Sequence, residues 1–591
     1  MNMKKIVLIS VMVMFTSMYL VAQDVNYSNN FIKNYEIAKA NSQKPNATIH
    51  DGLWLTHFII EAKKNWNKLT PEAKALFPTL NGKNGRPTLP NEEIYYSQYF
   101  DIHYTQTGVW AVDPTDNDFN GVPDFVENMG AIFDMVYLNN VSNGFAMPPS
   151  DNNLGGTDFY DIYIGGPDIS SGIYGFVSPE DSIGDNPDSP LTETNSWTSW
   201  MCMNYDYSWA SNGVDTSISV TAAHEFMHAI QMGYNNDMDN WFKESSATWA
   251  EDFHFPGYDD NLQYLGHIFT TPDASLTLDN WEDDLSSSPL NDHWYGTWIF
   301  TKYMTEHTNN NIIKNIYERC ITDDALTAID DELSQNWNTN FYEIFENWLI
   351  ANYFMTDDAA YDPYTYIRAN VYDNKIQSLG GLFIEGTLTY SGTSSDWISD
   401  IDGNGRLMRL SADYFDITST MNFSLTLSPD NPSADINLIL VKENTNTSNI
   451  DIVYSTLIGT DYVINVNDAS SFDSFVAIVV RYDEMAGDTL SEQYTLTIGA
   501  PTTDINENII NSKFNIFPNP TNTNINITGA LTTSNIVVLN DIMGNEIYRS
   551  NCSKNSNRVN IDVQNLPNGM YFLSIYDENN QVIKKKIIIA H

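Results

Sequence analysis

The chain of 591 residues carries 28 Lys+Arg against 76 Asp+Glu, a net charge of −48. A surface this acidic repels a phosphate backbone, which excludes nucleic acid as a partner. Apolar residues make up 42% and aromatics 13%, far from the composition of a disordered chain, and at about 100–200 residues per domain three to five units are expected.

Residues 1–22 read as a signal peptide. Lys4 and Lys5 form the charged start, residues 6–21 the apolar run, and Ala22 before Gln23 the small-residue cleavage point. Ser10, Thr16 and Ser17 interrupt the run, which is too short for a membrane anchor. No other run approaches that length, so an exported chain without a transmembrane segment is expected. Residues 23–96 carry mixed helical patterns over 52–66 and 71–77 and then a Pro/Gly-rich stretch. They form an N-terminal region and a candidate pro-segment, although no dibasic processing site marks its end.

From 97 to 375 strand and helix patterns alternate. Within this region Asp116-Asn117-Asp118-Phe119-Asn120-Gly121-Val122-Pro123-Asp124-Phe125-Val126-Glu127 matches a twelve-residue calcium loop. Asp116, Asp118, Asn120, Asp124 and Glu127 supply oxygens at positions one, three, five, nine and twelve. Gly121 allows the sharp turn at six, and Val122 offers its carbonyl at seven. A strand over 100–104 precedes it and a helix over 127–137 follows, so this is an EF-hand-like loop with one flanking helix. Structural calcium is the expected ligand; the rival is an acidic turn without metal. The turn Asp400-Ile401-Asp402-Gly403-Asn404-Gly405 lacks acids at nine and twelve and reads as a plain turn.

The sharpest feature is His224-Glu225-Phe226-Met227-His228, inside a predicted helix over 217–232. Histidines four apart share one helix face, so both imidazoles reach one metal ion, with Glu225 beside it to take a proton from water. Three scattered cysteines (Cys202, Cys320, Cys552) exclude a Cys-ligated site, so histidines and carboxylates must hold the metal. Asn240 is the expected cap of a second helix, on which Glu244, Thr248 and Glu251 share a face. Glu244 becomes the third zinc ligand, and Glu251 an outer acceptor that fixes the tautomer of a ligand histidine.

The pairing of His-Glu-x-x-His with Glu244-x-x-Ala247-x-Trp249-x-Glu251 resembles the gluzincin zinc metallopeptidases, in particular hyicolysin-like and related secreted bacterial metalloproteases. The likeness spans about residues 97–355. It implies His224, His228 and Glu244 as zinc ligands, Glu225 as catalytic base, and a protein or peptide substrate. Fifteen residues separate His228 from Glu244, a tighter connection than in thermolysin-like or aminopeptidase-like members, so the shape of their cleft is not carried over. Downstream, His293-Trp294-Tyr295-Gly296-Thr297-Trp298 resembles the Tyr/Gly helix start of several gluzincins. Tyr295 is the expected proton donor or oxyanion stabiliser, with His293 as substitute; an aromatic core cluster around Trp294, Trp298 and Phe300 is the competing reading.

Short strands at 387–390, 407–410, 423–427, 436–441, 462–466, 475–481 and 494–498 predict an all-β sandwich of accessory type over 380–500. An Asn/Thr-rich linker covers 501–513. Strands at 524–528, 536–540, 559–563, 571–576 and 582–589 then form a small β-sandwich over 514–591. Its Pro518-Asn519-Pro520 opening, Asp541-Ile542-Met543-Gly544, Leu566-Pro567-Asn568-Gly569-Met570-Tyr571 and Lys584-Lys585-Lys586 ending resemble the sorting domain of the type IX secretion system. That implies the secretion machinery as a partner and a secreted or cell-surface location.

The expected architecture is therefore multidomain: an α+β zincin-like metallopeptidase domain, an all-β sandwich and a small β-sandwich sorting domain. The expected activity is a secreted zinc-dependent endopeptidase. The rival is a surface adhesin or binding protein whose metallopeptidase-like domain is inactive. A zinc hydrolase acting on a non-peptide amide or ester would keep the same residues.

Overall fold

The computed structural model describes residues 25–40, 55–80, 85–279, 292–399, 407–483, 491–501, 515–519, 521–528, 535–541, 545–552, 558–576 and 582–590. The predicted signal peptide, the linker beyond residue 501 and the turn at 400–405 lie outside them. The chain forms two compact units, one of Met1–Tyr264 with Asp279–Glu332 and one of Leu265–Leu278 with Leu333–His591.

The first unit opens with helices α1 (residues 25–40), α2 (Leu55–Lys64) and the short α3 (Pro71–Lys74). Thr70 caps α3 by accepting from the Ala73 amide, with Pro71 at the first helical position. Strands β1 (Glu93–Tyr96), β2 (Phe100–Tyr104), β3 (Tyr160–Ile164), β4 (Gly175–Gly184) and β5 (Ser196–Met203) form one sheet in the order β1-β2-β3-β5-β4. The β2–β3 and β3–β5 pairs are parallel, whereas β1 and β4 run antiparallel to their neighbours. Thus β4 is an edge strand, and its pairing slips around Pro179 and Ser182, where an edge tolerates irregularity.

One face of this sheet is apolar because α1 and α2 pack there. Phe31, Tyr35, Phe58 and Phe77 join Phe176 and Trp200 in a single cluster. Helices α4 (Asp124–Ser142), α5 (Val214–Tyr234) and α6 (Asn240–His254) follow. Every residue of α5 from Ser217 to Tyr234 is buried. Buried on every side, polar residues included, α5 is the central helix of this unit and packs against β4, β5, α4 and α6.

Two local expectations are corrected. Asn240 is not the cap of α6: Asp239 holds that position without a side-chain cap bond. Tertiary partners claim both side chains, Asp239 accepting from the Ala325 amide at 2.6 Å and Asn240 donating to Asp279 at 3.0 Å. The helix expected to open at His293 is two pieces, His293–Gly296 and Trp298–Glu306. Thr297 Oγ1 donates to the Trp294 carbonyl at 2.6 Å, a side-chain bond that competes with helix continuation.

The second unit contains two five-stranded sheets. Alternating residues such as Leu438 and Leu440, Ala477 and Val479, Leu425 and Leu427 form their shared core. Helix Phe341–Phe354 belongs to this unit, bound where the Tyr414 hydroxyl donates to the Leu349 carbonyl at 2.8 Å and the Tyr482 hydroxyl to Glu346 at 2.6 Å. The strand expected at 407–410 is only a bridge from Leu407 to Glu492, and the chain turns at Leu410 with φ 47°. The true strand starts one residue later, at Ser411–Ser419.

The terminal segment has a three-stranded and a four-stranded sheet, with Ile525, Ile527, Val537, Leu539, Leu573 and Ile587 in its own core. Val582–Ile589 is the edge strand of the larger sheet.

Candidate metal centre

Helices α5 and α6 bring the motif residues together. His224 Nε2 lies 3.1 Å from His228 Nε2 and 3.2 Å from Glu244 Oε2, and His228 Nε2 lies 3.4 Å from Glu244 Oε1. His224, Glu225, His228, Glu244 and Glu251 are all buried.

The outer partners fix the histidine tautomers. Gln231 Nε2 donates to the Lys243 carbonyl at 3.0 Å, so its Oε1 accepts from His228 Nδ1 at 2.9 Å. His224 Nδ1 donates to Glu251 Oε1 at 2.8 Å. With both protons on Nδ1, two Nε2 lone pairs and a carboxylate face one point, an arrangement that attracts a cation. Ligands about 2.0–2.1 Å from a tetrahedral zinc are separated by about 3.3 Å, close to the spacings found here. The donor set, two neutral imidazoles and a carboxylate, also suits zinc.

Burial alone would raise the Glu244 carboxyl, but the imidazoles of His57, His228 and His224 around it hold it well below the usual carboxylate range. Burial lowers His224 to about 4 despite Glu244 beside it. Glu225 is pushed up to about 7 by burial, with His228 and the Thr56 hydroxyl acting against that rise. Thr56 Oγ1 donates to Glu225 Oε2 at 2.8 Å, while Oε1 has no hydrogen-bond partner among the described residues. Tyr295 is buried with its ring 6.1 Å from that of His224 and 5.9 Å from that of Trp294. His293 is buried in the same short helix.

The sequence reading missed His57. Its ring stacks on Trp294 at 4.7 Å, and its Nε2 contacts Glu244 Oε1. Ligand atoms of His57, His228 and Glu244 all lie within 4.8 Å of one another. The only signal available was a histidine inside the helical pattern at 52–66, without the spacing that marks a pair.

The acidic loop adopts the turn expected of it, with Gly121 at φ 93°. Asn120 ties it together: its amide nitrogen donates to Asp116 at 3.2 Å and Asp118 at 3.1 Å, and its side chain donates to Glu127 at 2.7 Å. The Gly121 amide donates to Asp116 at 2.9 Å and the Val122 amide to Asn120 Oδ1 at 2.8 Å. Asp124 turns to Asn117, accepting from its backbone amide at 3.1 Å and from its side chain. Thus Asp116, Asp118, Asn120 and Glu127 are gathered, and Asp124 faces the other side of the turn.

Residues 515–590 match the family described as secretion system C-terminal sorting domain. A chain with this tail is a cargo of the type IX secretion machinery, secreted and attached at the cell surface. Among the described residues no helix is long and apolar enough to cross a membrane. No curated protein matches the chain. Among solved structures, one titled "Biofilm associated protein - BSP domain" is 11% identical over 34% of this chain and 51% of that one, with a TM-score of 0.12. The chain thus spans about half the length of that structure, and a likeness at this score carries no functional inference.

Proposed function

We propose that the first unit is a zinc-dependent peptidase of the gluzincin type, with a zincin-like arrangement of β4, α5 and α6. The observation that carries this reading is the convergence of the His224 and His228 Nε2 lone pairs with Glu244, each imidazole held by its own Nδ1 acceptor. When bound, zinc supplies Lewis acidity for a scissile carbonyl and for water. Glu225, lifted to about 7 by burial, takes the proton from water and passes it to the leaving amine. Tyr295, near His224, donates a hydrogen bond to the developing oxyanion. The loop at 116–127 holds calcium as a structural ion, with Asp124 turning inward from Asn117 on binding.

The test is casein hydrolysis by the exported chain, before and after limited proteolysis, with and without a zinc chelator. Elemental zinc is measured on the same sample, beside Glu225→Gln. Chelator-sensitive cleavage lost in the variant, with one zinc per chain, is the expected result; absence of zinc overturns the reading. The full burial of the centre is the one observation that favours the rival, a surface binding protein with an inactive domain. Its signature is bound zinc with no cleavage even after proteolysis.

A further inference from the structure

Thr56 and His57 belong to neither the zinc ligands nor the general base of the peptidase. Both sit at the start of α2, in the N-terminal region, and both are buried. Thr56 Oγ1 donates to Glu225 at 2.8 Å and accepts from the Val177 amide of β4 at 3.0 Å. His57 reaches Glu244 and lies within ligand range of His228. Further along α2, Lys63 Nζ donates to the Glu180 carbonyl of the same edge strand at 3.0 Å.

A peptide substrate needs those same places. Its scissile carbonyl must lie between the metal and Glu225, and an edge strand is the natural docking line for an extended backbone. Here α2 satisfies the Val177 amide and the Glu225 carboxylate, and a histidine fills the remaining approach to Glu244. Downstream, Arg86 donates to both Glu180 oxygens at 2.7 Å, to the Leu154 carbonyl at 2.7 Å, and pairs with Asp151 and Asp161. The chain from Arg86 onward is therefore fixed to the sheet by a cluster of ion pairs, whereas α1 to α3 meet it through an apolar face and the few bonds of Thr56 and Lys63.

Resting on the peptidase reading, we propose that α2 is a built-in plug. His57 Nε2 is the fourth ligand of the ion held by His224, His228 and Glu244, and Thr56 occupies the general base, so the centre stays latent until the segment before Arg86 is cut away or displaced. No open position remains for water while the plug is seated, which distinguishes a closed structural-type zinc site from a catalytic one.

The full chain loaded with cobalt(II), and with zinc, tests this against His57→Phe, which keeps an aromatic ring over Trp294 without a donor atom. His57→Gln serves if that variant does not fold by circular dichroism. Expected for wild type are three imidazoles around zinc by X-ray absorption and a cobalt visible spectrum unmoved by acetohydroxamate. The variant should show two imidazoles and a spectrum that shifts with acetohydroxamate, with casein cleavage appearing or rising. Equal imidazole counts and equal hydroxamate response overturn the plug. Casein cleavage by wild type at the variant's rate overturns it too, while leaving the peptidase reading in place. If neither chain binds metal, the peptidase reading falls and the plug falls with it.

Discussion

Glu251 Oε1 accepts the Nδ1 proton of His224 at 2.8 Å, one face of α6 holding an imidazole of α5 in register. Burial, with Asp260 and Glu244 nearby, raises the Glu251 carboxyl well above its ordinary value. Such outer acceptors commonly account for about 10–100-fold in metal affinity. Glu251→Ala should weaken zinc by about that factor in a competition titration with a chromophoric chelator. Unchanged affinity would remove His224 from the ligand set.

For Glu225→Gln the expected result is retained zinc and a fall in released peptidase activity of about 10²–10⁴-fold, the usual contribution of a general base. Undiminished activity in the zinc-loaded variant would exclude Glu225 as the base.

Replacing Asp116 with Asn and Glu127 with Gln removes two charges from the acidic loop. In the present structure the Gly121 amide, with Asn120 also contributing, holds the Asp116 carboxyl below its ordinary value. Asp116 is therefore held ionised and ready for a hard cation at neutral pH. The wild-type Tm should rise with added calcium and fall with a calcium chelator; the double variant should respond to neither. A preserved calcium response would place the ion elsewhere.

His103 offers a separate test of the sheet. It is buried in β2 between Asp161 at 2.8 Å and Glu92 at 3.1 Å. Burial would lower its pKa, but those two carboxylates push it up to about 9. An unfolded histidine titrates near 6.5, so the ion pair stabilises the fold fully below that pH and is lost as pH rises through about 9. His103→Gln should therefore cost about 3 kcal/mol at pH 6 and much less at pH 10, read from urea unfolding at both values. A pH-independent difference would mean that packing against Tyr163, stacked at 4.3 Å, accounts for the effect.

What the sequence made legible follows from how local the signal was. Helix α5 was readable because two histidines four apart and an apolar periphery lie within one stretch, and Glu251 because it shares a turn-spacing with Glu244. The terminal strands Asn524–Thr528 and Val582–Ile589 appear at the residues expected, since turn residues bracket them. His57 was not legible: its partner Glu244 is 187 positions away, and a lone histidine has no period. Strand Ser411–Ser419 was also missed, because its first five residues are buried on both faces and Asp413 reads as a turn residue. In the structure the Tyr494 hydroxyl bonds to that aspartate, which a linear pattern does not reveal.

The edge strand Val582–Ile589 carries Lys584-Lys585-Lys586 in a chain with only 28 basic residues. An open strand edge is a template for pairing with a second copy of itself. Here the chain's own residues lie along that edge: the Thr521 amide donates to the Ile588 carbonyl at 2.9 Å, the Ala590 amide donates to the Thr521 carbonyl at 2.9 Å, and the Asn519 side chain bonds Lys586 and Ile588. The tail thus blunts its own edge, leaving fewer free backbone groups on which a second copy could build.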